Sequence, residues 1–136
     1  MSKVLALDFG TKRCGVAISD EERRWAFARE ILDASSRLRL VENVQRLVSD
    51  EQVGEIVIGK PSSQEGHPTE MTSAVEEFVA MLKKQISVPV ILVDERLSTK
   101  FASRILRLSE RTSKTSSAED SIAAATLLQN YLDQRV

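Results

Sequence analysis

A chain of 136 residues, 42% hydrophobic and 29% charged, suits one soluble globular domain over residues 1–136 that can bury an aliphatic core. Aromatics at 4% exclude base stacking as the dominant binding mode, and a formal charge of −1 withholds the overall basic footprint of most nucleic-acid binders. Cys14 is the only cysteine, which excludes an intrachain disulfide and a thiolate metal site. With no leader pattern and no run near ~18 apolar residues, the expected location is cytoplasmic, with no membrane span.

Residues 3–9 form a nearly continuous apolar run ending at Gly10, as in a central strand buried on both faces. After the turn Gly10–Arg13, residues 14–19 form a second run, and so short a loop predicts an antiparallel hairpin. A third strand is expected around Trp25 to Leu32. Residues 36–51 carry Leu38, Leu40, Val41, Val44, Leu47 and Val48 at helical spacing, with Ser35 or Ser36 as N-cap. Glu55 to Gly59 is a short strand, and Pro61 to Pro68 a loop containing His67. Residues 69–86 are helical through Met71, Val75, Phe78, Val79 and Leu82. Val88 to Val93 is a buried strand that delivers Asp94, Glu95 and Arg96 at its end. Residues 98–109 are helical, 109–119 a polar loop, and 120–134 a last helix. The order predicts an α/β fold: a mixed five-stranded sheet flanked by helices on both faces.

Carboxylates fall where the ends of these elements lie. Asp8 closes an apolar strand, and a charge there is costly unless paired or metal-bound. Asp94 and Glu95 end another strand, and spacing alone does not choose between them. Asp120 opens the last helix, where it is equally suited to capping. An Asp at a strand end also serves as an ordinary turn former. If three such groups converge, they form an oxygen-donor set for Mg²⁺, with Mn²⁺ as a substitute. Such a site hydrolyses phosphodiesters by activating water and neutralising charge, without a Ser, Cys or His nucleophile. Lys12 and Arg13 follow Asp8 in the hairpin turn and suit phosphate contacts as well as a solvated turn. Arg96 suits a phosphate or an ion pair with Asp94. Lys100, Arg104, Arg107 and Arg111 recur every three or four residues, as a basic helix face for nucleic acid or a solvated one, and Lys114 follows in the polar loop.

The run Leu5-Ala6-Leu7-Asp8-Phe9-Gly10-Thr11-Lys12-Arg13-Cys14-Gly15-Val16-Ala17-Ile18-Ser19-Asp20 resembles the YqgF family, also called RuvX. The resemblance continues at Ile58-Gly59-Lys60-Pro61, Val93-Asp94-Glu95-Arg96-Leu97-Ser98-Thr99 and Asp120-Ser121-Ile122-Ala123-Ala124-Ala125, then Leu128-Gln129-Asn130-Tyr131-Leu132. The blocks stand in the family's order over nearly the whole chain. The resemblance implies an RNase H-like fold and a three-carboxylate metal site, matched by motif to Asp8, Glu95 and Asp120. It implies a nuclease of precursor 16S rRNA acting on a ribosomal precursor particle, or a Holliday-junction resolvase of branched DNA, as monomer or homodimer. The sequence departs from the family at Gly59-Lys60-Pro61-Ser62-Ser63 and in the weakly basic segment before Asp120. A non-catalytic nucleic-acid-binding module stays open on that ground. Asp8-Phe9-Gly10-Thr11 also resembles the first phosphate loop of the actin, Hsp70 and sugar-kinase superfamily, but no second such loop follows.

Overall fold

The computed structural model describes residues 2–10, 12–60, 70–94 and 116–134. In chain order these form β1 (Lys3–Asp8), β2 (Arg13–Ser19), β3 (Ala26–Asp33), α1 (Arg37–Asp50), β4 (Val53–Lys60), α2 (Glu70–Gln85), β5 (Val90–Asp94) and α3 (Ser116–Gln134). The five strands make one sheet in the order β3-β2-β1-β4-β5. The β1–β2 and β2–β3 pairs are antiparallel, as short hairpin loops require; β1–β4 and β4–β5 are parallel. The carboxyl ends of β1, β4 and β5 therefore share one edge of the sheet.

Strand alternation divides the core into two layers. Leu5, Leu7, Val16, Ile18, Ile56 and Ile58 face Leu40, Val41 and Val44 of α1 and Val75, Phe78, Val79 and Leu82 of α2. Val4, Ala6, Ala17 and Val57 face Ala124, Ala125, Leu127, Leu128 and Leu132 of α3. β1 has residues in both layers, and Val4 through Leu7 are fully buried. Each fully buried aliphatic side chain stabilises the fold by roughly 1.5–3 kcal/mol. Cys14 is buried with them, as packing.

Local signals explain the element ends. The Ser36 hydroxyl accepts from the Arg39 amide and caps α1. In the β2–β3 hairpin, Asp20 Oδ1 accepts from the Arg24 and Trp25 amides at 2.8 and 3.0 Å. Those bonds, the Trp25 amide foremost, hold the Asp20 carboxyl below its usual value. Arg23 takes the left-handed turn position at φ 59°. Trp25, just before β3, is exposed, and so is Leu38, which lies off the buried face of α1. β5 begins at Val90 rather than Val88, because the proline at 89 cannot donate to a ladder; its carbonyl instead accepts from the Ile56 amide. The last helix begins at Ser116 and not at Asp120, so residues 116–119 are helical where a loop was expected. The expected helix over 98–109 and the loop over 61–68 lie outside the described residues.

Phe78 is fully buried and stacks on Phe9, with ring centroids 4.9 Å apart. Phe78→Ala is expected to cost about 3–5 kcal/mol. Urea unfolding should show a lower midpoint with an unchanged slope; an unchanged midpoint would show that the pair contributes nothing.

Candidate active site

Asp8 is the last residue of the central strand. Its neighbours Leu7 and Phe9 are both anchored in the layer beneath α1 and α2. Alternation therefore assigns Asp8 to the face of Val4 and Ala6, under α3. It is half-buried there. Its cross-strand partner in β2 is Gly15. On the other side, the β1–β4 register pairs Leu7 with Ile58, so the next level brings Gly59 beside Asp8. Two glycines thus flank the carboxylate and leave the sheet surface on either side of it without side chains.

The turn after Asp8 is tight. A Cβ on Gly10 would lie 2.5 Å from the Arg13 carbonyl oxygen, so the backbone passes where only glycine fits. Lys12 is exposed in this turn, and its carbonyl accepts from the Ala34 amide at 2.9 Å. Arg13 is exposed at the start of β2, paired in register with Asp33. Both cations therefore sit at the Asp8 end of the sheet.

α3 runs against β1. Near its C-terminal end, the Tyr131 hydroxyl donates to Glu55, and the Gln129 side chain bonds the start of β3. Glu55 pairs in register with Val4, at the opposite end of β1 from Asp8. Asp8 lies four residues further along the strand, about 13 Å. Asp120 lies eleven residues back along α3, about 16 Å. The backbone of Asp120 is thus carried to the Asp8 end. As the fifth residue of α3 it lies beyond the capping position, which removes the capping role the sequence allowed.

In β5, Asp94 pairs with Lys60 at the same edge. Val90 packs with the α1 and α2 layer and Val93 with the α3 layer. Glu95, Arg96, Lys100, Arg104, Arg107, Arg111 and Lys114 lie outside the described residues, as does His67. The side chain of Asp120 is likewise outside them. Among the described residues no group of three candidate ligands comes together.

Gln129 and Tyr131 were not singled out by the sequence reading beyond the family match. The signal for Gln129 was a polar residue among the buried Ala125, Leu128 and Leu132.

The profile of a family described as "RuvX: Holliday junction resolvase" matches residues 2–134. A "Putative pre-16S rRNA nuclease" of Maridesulfovibrio salexigens is 39% identical over 133 residues, covering 96% of this chain and 97% of that one. A protein of the same name from Dictyoglomus thermophilum is 38% identical over 132 residues, covering 96% and 95%. Among solved structures, "T. thermophilus RuvC in complex with Holliday junction substrate" aligns at a TM-score of 0.66 with 15% identity, covering 99% of this chain and 96% of that one. The Fowlpox virus resolvase bound to Holliday junction DNA aligns at 0.63 with 15% identity, covering 98% and 99%. These likenesses show a shared RNase H-like fold. No described helix is long and apolar enough to cross a membrane.

Gly10→Ala is expected to force the Arg13 carbonyl aside and destabilise the fold on the order of 1–3 kcal/mol. Thermal unfolding measures it, and an unchanged midpoint would mean that the turn tolerates a Cβ.

Proposed function

This chain belongs to the RuvX family, and from that premise we propose that it is a metal-dependent endonuclease that processes the 5′ end of pre-16S rRNA. The observation that carries the site is the placement of Asp8: a carboxylate on the last residue of the buried central strand, facing a helix that runs back to the same end with Asp120. In open sheets of this kind, ligands bind beyond the carboxyl ends of the parallel strands.

Asp8, Glu95 and Asp120 are the residues we assign to hold a divalent cation. The donor chemistry fits Mg²⁺ or Mn²⁺, hard ions that take carboxylate oxygens and keep several waters. The bare sheet on either side of Asp8, at Gly15 and Gly59, leaves room for them. Glu95 is preferred over Asp94 by family motif, since adjacent residues at a strand end point to opposite faces and only one of the two suits the cation. A bound cation would supply an activated water and offset the charge that develops on the scissile phosphate. Asp8, on a strand locked from both sides, presents its oxygens in a fixed direction and needs little reorganisation. Lys12 and Arg13 contact backbone phosphates at that edge and hold the strand in register. Arg96, Arg104, Arg107, Arg111 and Lys114 extend this contact.

The RNA reading rests on relatives that share over a third of their residues with this chain. Resolution of branched DNA is the second reading, favoured by the description of the family itself. That reaction cuts two strands symmetrically and calls for a homodimer, whereas end-processing on a ribosomal precursor particle can proceed with a monomer.

Cleavage of precursor 16S rRNA and of a four-way DNA junction, each with Mg²⁺ or Mn²⁺, tests both readings. Asp8→Asn is expected to lower the rate on the order of 100-fold or more, and chelation of the metal to abolish it. Equal rates for Asp8→Asn and the wild type would overturn the site. Faster cutting of the junction than of the RNA would replace the first reading by the second.

A further inference from the structure

We propose that Gln129 and Tyr131 are positioning residues for the active site: they set the axial register of α3 on the sheet, and with it the place of Asp120. The inference rests on the assignment of Asp8 and Asp120 to one metal site.

The apolar contact between α3 and the sheet specifies register weakly. It sets Ala124, Ala125, Leu127, Leu128 and Leu132 of the helix against Val4, Ala6, Ala17 and Val57 of the sheet. On the sheet side the alanines and valines offer only shallow holes to the leucines above them. The other layer differs, since Phe78, Leu40 and Leu82 interlock there with Leu5, Leu7, Ile56 and Ile58. A helix on a shallow surface slides at smaller cost than one on a deep surface.

Two polar anchors supply what the apolar contact lacks. Gln129 is buried, with 6% of its surface exposed. Its Oε1 accepts from the Ala26 amide at 3.0 Å, and its Nε2 donates to the Arg24 carbonyl at 2.9 Å. The side-chain amide thus pairs with the two main-chain groups that flank Trp25, as a neighbouring peptide would. A second bond from Nε2 to Asp133 Oδ1 at 3.0 Å holds the amide in orientation. Tyr131 donates its hydroxyl to Glu55 Oε1 at 2.7 Å. Glu55 is itself buried and held by Arg23, whose Nη1 lies 3.3 Å from Oε2 and whose Nε donates to the Ser2 carbonyl.

Residues two apart on a helix project about 200° from each other. Gln129 and Tyr131 therefore leave α3 on opposite flanks, one tied to the start of β3 and the other to β4, with β2 and β1 between. Breaking either anchor leaves buried polar groups without that partner, so both sliding and rolling are opposed. Asp120 lies nine residues from Gln129, about 13 Å along the axis. A slip of one residue would move it by about 1.5 Å and turn it by about 100°. A misplacement of about 1 Å in a site, caused by a mutation far from the chemistry, costs on the order of 100-fold in rate.

The test compares Gln129→Ala, Tyr131→Phe and the double variant with Val44→Ala, a core truncation in the opposite layer. For each full-length protein, Mn²⁺ binding is measured by electron paramagnetic resonance, and stability by urea unfolding. The double variant is expected to bind Mn²⁺ on the order of 10-fold more weakly, and Val44→Ala to bind it as the wild type does at a comparable loss of stability. Tyr131→Phe removes a single oxygen and carries the test if the double variant does not fold. Wild-type Mn²⁺ affinity in the anchor variants, with stability lost as in Val44→Ala, would overturn the proposal. Unchanged Mn²⁺ binding in Asp8→Asn would instead overturn the metal site on which it rests.

Discussion

The structure depends on a carboxylate at the end of a strand that has no exposed face. β1 is paired on both edges and covered on both faces, and Val4 through Leu7 are fully buried. A charge inside such a strand would cost several kcal/mol without partners. At its last residue the same charge sits half-buried, where water or a cation can reach it. The surrounding packing then acts as aim. Leu7 and Phe9 are fixed in one layer, Phe9 by its stack on Phe78, so Asp8 is directed into the other.

The two layers divide the labour. The layer under α1 and α2 is built of large interlocking side chains and supplies most of the buried volume. The layer under α3 sets alanines and valines of the sheet beneath alanines and leucines of the helix, and its small sheet residues bring the helix close. Close approach suits a site that needs carboxylates from a strand and a helix within reach of one cation. The polar bonds at the far end of α3 compensate for what the small residues do not specify. Glu55 and Gln129 are buried polar groups with good partners, the condition under which such groups add definition to a fold.

Much of this was legible in the sequence, and the rest was not for physical reasons. The strands announced themselves as apolar runs, and the Gly10–Arg13 turn gave the antiparallel hairpin. Asp8 stood out because it breaks an apolar run. Asp120 read as the first residue of its helix, since the Ser- and Thr-rich stretch before it has weak helix propensity. The helix instead begins at Ser116, where serine is at home in a first turn. Asp94 and Glu95 are inseparable by spacing, because neighbours on a strand point to opposite faces and the sequence does not say which face is which. Gln129 escaped notice because glutamine is ordinary on a solvated helix face. Its partners, the main chain at Arg24 and Ala26, lie about a hundred positions away in sequence and carry no side-chain signature.

The central claim is that Asp8, Glu95 and Asp120 share one cation. A crystal structure of the wild-type protein grown with Mn²⁺, with anomalous scattering recorded, tests it most directly. The account predicts an anomalous peak bonded to carboxylate oxygens of Asp8, Glu95 and Asp120 beyond the carboxyl end of the central strand. A well-occupied Mn²⁺ held elsewhere, with these three carboxylates turned away from one another, would contradict it.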